Sequence, residues 1–179
     1  MSHVALLRGI NVGGRARVPM DRLREVFVEA GCTEVVTYIQ SGNVVFRPPP
    51  GVLGGALSST LQERIDTTFG VSAAVVIRTA AEWADLVQRN PFVGVGVDPM
   101  TLHVMLLADE AAPDDIARLD PHRSPPDEFV VDGREVYLHH PNGSRRSKLT
   151  IDYFERKLHT VATARNWNTA TKLAELLCQ

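Results

Sequence analysis

Cysteine is almost missing from this chain. Cys32 and Cys178 are the only two in 179 residues. One follows a predicted helix and the other adjoins the last residue, so neither a disulfide framework nor a thiolate metal knuckle is open to the protein. Histidine is equally uninformative as a ligand set: His3, His103, His122 and His159 stand alone, and His139-His140 has no metal-ligand spacing. No metal site is expected on that ground, and no motif asks for a cofactor. Aromatic residues make up 6% of the chain; the first predicted strand has none and the third only Phe46, which argues against a sheet that stacks nucleic-acid bases. No apolar run approaches the roughly 18 residues of a membrane span. The Met1-Ser2-His3 start also lacks the basic, apolar and small-residue order of a signal peptide. The expectation is a cytoplasmic protein with no membrane association.

What remains is an ordinary globular composition, 44% hydrophobic and 22% charged, long enough for a sizeable core. It suits one domain or two closely packed halves. The formal charge of -2 conceals an asymmetry: residues 1–47 hold six basic and four acidic side chains, 48–133 five and thirteen, and 134–179 eight and four. Basic ends favour an anionic ligand if they meet, although charge of this kind also simply solvates a surface, and arginine outnumbers lysine sixteen to three. A pI of about 6.3 is not that of a nucleic-acid binder. A small anion is therefore preferred to a polymer.

Along the chain, His3–Arg8 reads as a strand. Residues 20–30 place Leu23, Val26, Phe27 and Ala30 at helical spacing before Gly31. Glu34–Gln40 and Asn43–Phe46 are strands around a tight Ser41-Gly42 turn. A helix over 53–69 carries Leu53, Leu57, Leu61, Ile65 and Phe69 on one stripe, and Ala73–Arg78 is a strand. The order β-α-β-β-α-β predicts a ferredoxin-like half over residues 1–78. Thr79 can cap a helix to Arg89. Leu102–Leu107, a short helix over 113–119, a hairpin of Phe129–Val131 and Glu135–His139 around Asp132-Gly133, and helices over 148–158 and 169–177 fill residues 79–179. This second half lacks its closing strand in the reading, and no evident sequence repeat ties it to the first. The fold class is α+β, two βαββαβ-type halves with antiparallel sheets, which can also count as one domain.

Four polar boxes exceed what folding requires. The first is the loop Arg8, Asn11, Gly13, Gly14, Arg15 and Arg17 running into a helix at Pro19. Glycines let backbone approach a ligand, arginines offer planar donor forks, and Val18 cannot cap the helix, which leaves its first amides for water or an anion. Asp21 in the first turn already supplies some of the negative charge the dipole favours. The spacing is neither a P-loop nor a dinucleotide fingerprint. The second box is Tyr38, Gln40, Ser41 and Asn43, polar for a hairpin of valine, isoleucine and phenylalanine, with simple alternation toward solvent as the plainer account of Gln40. In the third, Ser147 and Lys148 lead a basic glycine-containing loop into a helix, with Ser147 as a possible cap; neither Ser144 nor Ser147 meets the S-x-x-K spacing of a serine-lysine nucleophile. The fourth holds Arg165 and Asn166 ahead of a helix capped by Asn168 or Thr169. A buried arginine there needs a partner, either an acidic side chain or a bound anion.

These boxes resemble a known family. Leu6 to Met20 (LLRGINVGGRARVPM), Thr37 to Phe46 (TYIQSGNVVF), Asn90-Pro91-Phe92, Ser147 to Thr150 (SKLT) and Thr163 to Leu173 (TARNWNTATKL) are similar, in order, to the bacterial family of unknown function DUF1697. The resemblance implies a pair of ferredoxin-like subdomains and brings no established activity, substrate or catalytic residue; Arg15 and Arg17 stand where many relatives are rich in lysine or asparagine. Two classes of function follow from the residues. One is binding of an anionic, phosphate-bearing small molecule through the glycine and arginine loops. The other is phosphoryl or acyl-group hydrolysis of the acylphosphatase type, in which Arg8, Arg15 or Arg17 would act with Asn11 or Asn43, by analogy of fold alone. A protein-interaction or nucleic-acid module is the remaining alternative, and the oligomeric state is not specified by the sequence.

Overall fold

A computed structural model describes residues 2–11, 17–52, 54–94 and 96–179. Its contacts gather into two compact units, Met1–Ala84 with Leu173–Gln179, and Asp85–Lys172.

The first unit runs β1 (His3–Leu7), α1 (Met20–Glu29), β2 (Thr33–Tyr38), β3 (Asn43–Arg47), α2 (Gly54–Phe69) and β4 (Val75–Thr79). Its strands form one antiparallel sheet in the order β2-β3-β1-β4, the ferredoxin-like arrangement. Ala5, Leu7, Val44, Phe46 and Val75 face a core completed by Leu23, Val26 and Phe27 of α1 and by Leu57, Leu61 and Ile65 of α2. The alternate residues Val4, Leu6 and Val45 are also fully buried. A strand buried on both faces has no polar side to show, which is why β1 reads His-Val-Ala-Leu-Leu without alternation. On α1 the apolar residues recur at i, i+3 and i+4, while Arg22 on the outer face bridges Glu25 and Glu29. Phe27 meets Phe46 edge to face at 5.2 Å, tying helix to sheet.

Behind α1 lies Cys32, 2% exposed, its thiol pushed up to about 11 by burial. Cys178 is exposed. Because the thiolate is the reactive form, iodoacetamide at neutral pH is expected to label one site per folded chain, at Cys178, and two after denaturation; mass spectrometry of the peptides checks it.

The second unit repeats the plan with β5 (Leu102–Leu107), α4 (Pro113–Ala117), β6 (Glu128–Asp132), β7 (Glu135–His139), α5 (Ile151–Leu158) and β8 (Ala162–Asn166), its sheet ordered β6-β7-β5-β8. Met105, Leu107, Val136, Leu138 and Ala162 face Tyr153, Phe154 and Leu158 of α5. The strand the sequence reading lacked is β8. Its residues Ala-Thr-Ala-Arg-Asn have little β propensity, and it exists because its whole length pairs with β5, His103 with Asn166 through Leu107 with Ala162. Two more helices, α3 (Ala80–Arg89) and α6 (Trp167–Leu177), follow β4 and β8 directly.

Register exposes a repeat that the bare sequence hides. His3-Val4-Ala5-Leu6-Leu7 of β1 and His103-Val104-Met105-Leu106-Leu107 of β5 occupy the same place in their sheets. Val4 faces Arg78, and Val104 faces Arg165. The strand exits match as well: Leu7 N and Leu107 N donate to Gly42 and Arg134 carbonyls, and Arg8 N and Ala108 N donate to Ala74 and Val161. The two halves are a structural duplication whose sequence signal survives mainly in the central strand.

Candidate functional site

The loop leaving β1 is anchored where it begins. Leu7 N donates to Gly42 O at 2.8 Å and Arg8 N to Ala74 O at 2.9 Å. Three residues on, Asn11 adopts a left-handed φ of 56°. Its Nδ2 donates to Val18 O (3.0 Å) and Gln40 O (2.8 Å), and its Oδ1 accepts from Val18 N (2.8 Å). One side chain thus closes the loop upon itself and fastens it to the hairpin, so the first two boxes meet. Arg17, beside the clasped Val18, is exposed, and Arg8 is half-buried. Gly13, Gly14 and Arg15 lie outside the described residues.

The hairpin is built differently from the two-residue turn expected. Tyr38 pairs with Asn43 across a four-residue loop, in which Ile39 and Gly42 take φ of 49° and 74°. Asn43 is fully buried, and its Nδ2 donates to Tyr38 O and to Ser41 Oγ, both at 3.0 Å. Asn43 and Ser41 therefore shape the loop. Tyr38 is half-buried and the Gln40 side chain is exposed; Gln40 lies in the loop beyond β2, so its exposure comes from the turn and not from strand alternation.

The start of α1 differs from those of α3, α5 and α6. Helix α3 opens on a capping box: Thr79 Oγ1 accepts from Glu82 N, and Thr79 N donates to Glu82 Oε2 at 2.7 Å. Thr150 caps α5 through Tyr153 N, and Asn166 Oδ1 accepts from Asn168 N at the start of α6. Helix α1 starts after Pro19 with no side-chain cap, so its early amides stay available.

The third box is bound into its surroundings. Ser147 Oγ accepts from Leu149 N, and its hydroxyl also reaches the Asp127 carboxylate. Lys148 N donates to Ser124 Oγ, while the Lys148 side chain is exposed. The cap of α5 is Thr150 and not Ser147. In the fourth box Arg165 is 7% exposed, its Nη1 donating to Thr163 Oγ1 and Ala164 O, both at 2.8 Å. Desolvation alone lowers this guanidinium to about 10. Asn166 Nδ2 ties to the Met100 and Leu102 carbonyls. Strand parity puts Arg165 on the sheet face opposite Met105 and Ala164, away from the α5 side where Leu149 packs. The third and fourth boxes do not combine.

Two groups escaped the sequence reading. Arg78, 1% exposed, is the counterpart of Arg165, and its signal was the single charge inside Val-Val-Ile-Arg-Thr. His103 and His140 are not isolated, for their rings meet edge to face at 5.3 Å. Among the described residues no group of three or more His, Cys, Asp or Glu side chains is placed to hold a metal ion, and no helix is long and apolar enough to cross a membrane.

Fold and loops together define a duplicated α+β protein of two ferredoxin-like units. The chain belongs to the DUF1697 family, described as proteins of unknown function, whose model matches residues 1–137. Its fold is similar to that of the conserved bacterial protein SP0830 from Streptococcus pneumoniae, with 18% identity, a TM-score of 0.74 and 98% of each chain covered. No curated protein matches the sequence.

Proposed function

We propose that the chain binds a small phosphate-bearing anion at the loop joining β1 to α1. The observation that carries this reading is the combination at one place of an uncapped helix start and a loop whose ends Asn11 pins together. Outward amides at the positive end of a helix dipole, with an arginine beside them, are an anion's natural ligands. Arg17 and Arg8 supply the charge. A small ligand suits the site better than nucleic acid, given the pI of about 6.3. Hydrolysis of the acylphosphatase type is disfavoured, because both asparagines that could hold its water donate their amides to the protein itself.

Titrating inorganic phosphate and phenyl phosphate into the full chain, followed by amide NMR, tests the reading. Saturable shifts are expected at Arg17–Arg22. Arg17→Ala and Arg8→Ala are each expected to weaken binding about threefold or more, and Asp21→Asn to strengthen it by a similar factor, since Asp21 competes for the same dipole. Shifts that never saturate, or that Arg17→Ala leaves intact, would overturn the proposal.

A further inference from the structure

We infer that the second unit contains a proton-operated latch, in which the packed His103 and His140 rings hold the loop before β6 against the loop before α5 only while both are neutral. His103 projects from β5 and His140 lies just past β7, with centroids 5.3 Å apart and planes at 69°. His140 is 3% exposed. Its Nδ1 makes a long, 3.5 Å contact with Asp127 Oδ1, and His103 Nδ1 has no hydrogen-bond partner among the described residues.

Asp127 is the hub of the latch. Its Oδ2 accepts from Ser124 Oγ at 2.8 Å, and Ser147 from the other loop bonds the same carboxylate. Ser124 Oγ in turn accepts from Lys148 N, and Arg123 Nε donates to Lys148 O at 2.9 Å. The backbone at His140 is fixed, its N–H donating to Thr101 O and its carbonyl accepting from Gly143 N. A tilt of the His140 ring therefore falls on Asp127, and through it on both loops.

The charged and titratable groups facing the pair are few. Asp127 comes from the loop before β6. His139 of β7 lies beside His140 and 3.5 Å from Glu128 of β6. His103 faces His140 and the Thr101 backbone. A proton on either ring is a buried charge beside a second imidazole, and Asp127, the one anion against His140 among the described residues, already serves two hydroxyls. Burial first, then the neighbouring imidazole, holds His103 below its ordinary value; burial outweighs the pull of Asp127 in lowering His140. The unfolded chain then binds more protons than the folded one. Stability from the latch is complete above the unfolded value of 6.5 and is lost as pH falls from there toward the folded values.

The first unit supplies a natural control. His3, at the position equivalent to His103, packs against Phe46 at 5.9 Å, a ring that cannot titrate. His140→Phe places a ring that cannot titrate beside His103, and His103→Phe places one beside His140.

The test is amide hydrogen exchange on the full chain, corrected for intrinsic rates, together with histidine proton shifts. Between about pH 7.5 and about pH 5.5 the protection of Asp127 and Lys148 is expected to fall at least about tenfold. Leu6 and Val45 are expected to keep theirs, and His103 and His140 to titrate below the ordinary histidine value. In the double variant His103→Phe, His140→Phe the fall should shrink to less than about threefold. If that variant does not fold, the wild-type titration decides alone. Loop protection that ignores pH, or rings that titrate at the ordinary histidine value, would overturn the latch.

Discussion

Gly42→Ala is expected to destabilise the first unit by about 3 kcal/mol, seen as a lower urea midpoint at unchanged slope. Two effects add at this position. Gly42 sits at φ +74°, where an L-residue costs about 1–2 kcal/mol. A Cβ there would also lie 2.8 Å from Leu7 Cβ and from Ile10 Cδ1. Ile10 Cδ1 is the end of a flexible side chain and can swing away. Leu7 Cβ cannot, because its own N–H is bonded to the Gly42 carbonyl and the residue is paired with Val75 at the end of the interior strand β1. Overpacking of this kind costs about 1–3 kcal/mol. Gly51→Ala isolates the contribution of contact, since Gly51 has a nearly equal φ of +76° and nothing within 4 Å of its would-be Cβ. That variant should lose only about 1–2 kcal/mol. Equal losses at the two glycines would mean that the hairpin loop gives way and that the Leu7 contact is soft.

The same residues show how far the sequence was legible. Elements with a strong period or an unbroken apolar run were readable: α1 by Leu23, Val26 and Phe27, β1 and β5 by continuous burial, α2 by Leu57, Leu61 and Ile65. β8 was not, because Ala162, Thr163, Ala164, Arg165 and Asn166 become a strand through pairing with β5 and not through any preference of their own. The hairpin was readable as a hairpin, but its loop length was not, since Ser41-Gly42 looks like a two-residue turn until Asn43 is seen folding its amide back onto Tyr38 and Ser41. In the polar boxes, side-chain chemistry was plain and engagement was invisible. Asn11 and Asn43 stood among the candidate ligand residues and Ser147 as a possible helix cap, and each holds backbone or a buried carboxylate in place. The uncapped start of α1 was legible from Val18-Pro19, where no side chain can reach back. His103 and His140 are thirty-seven residues apart, and only the turn past β7 brings them together.

Asn11 offers the sharpest separation between a loop that merely closes and a loop that binds. Its amide makes three hydrogen bonds, two of them to the backbone of Val18, which is 1% exposed. In Asn11→Ala those buried backbone groups lose their partners, and alanine must also adopt the φ of 56° that asparagine tolerates. A loss of about 2–3 kcal/mol is expected, from hydrogen bonds worth about 1 kcal/mol each. Asn11→Gly relieves the backbone but not the lost bonds and should recover about 1 kcal/mol of that. Phosphate binding should not follow the same order. With the clasp gone, the ends of the loop separate and the backbone that carries Arg17 up to the start of α1 is no longer fixed, so both variants should bind at least about tenfold more weakly despite their different stabilities. The measurement pairs urea unfolding with phosphate titration at a temperature where both variants remain folded. Affinity that tracks stability would make the clasp a structural feature only. Affinity equal to that of the wild type in a folded Asn11→Gly chain would move the anion away from this loop altogether.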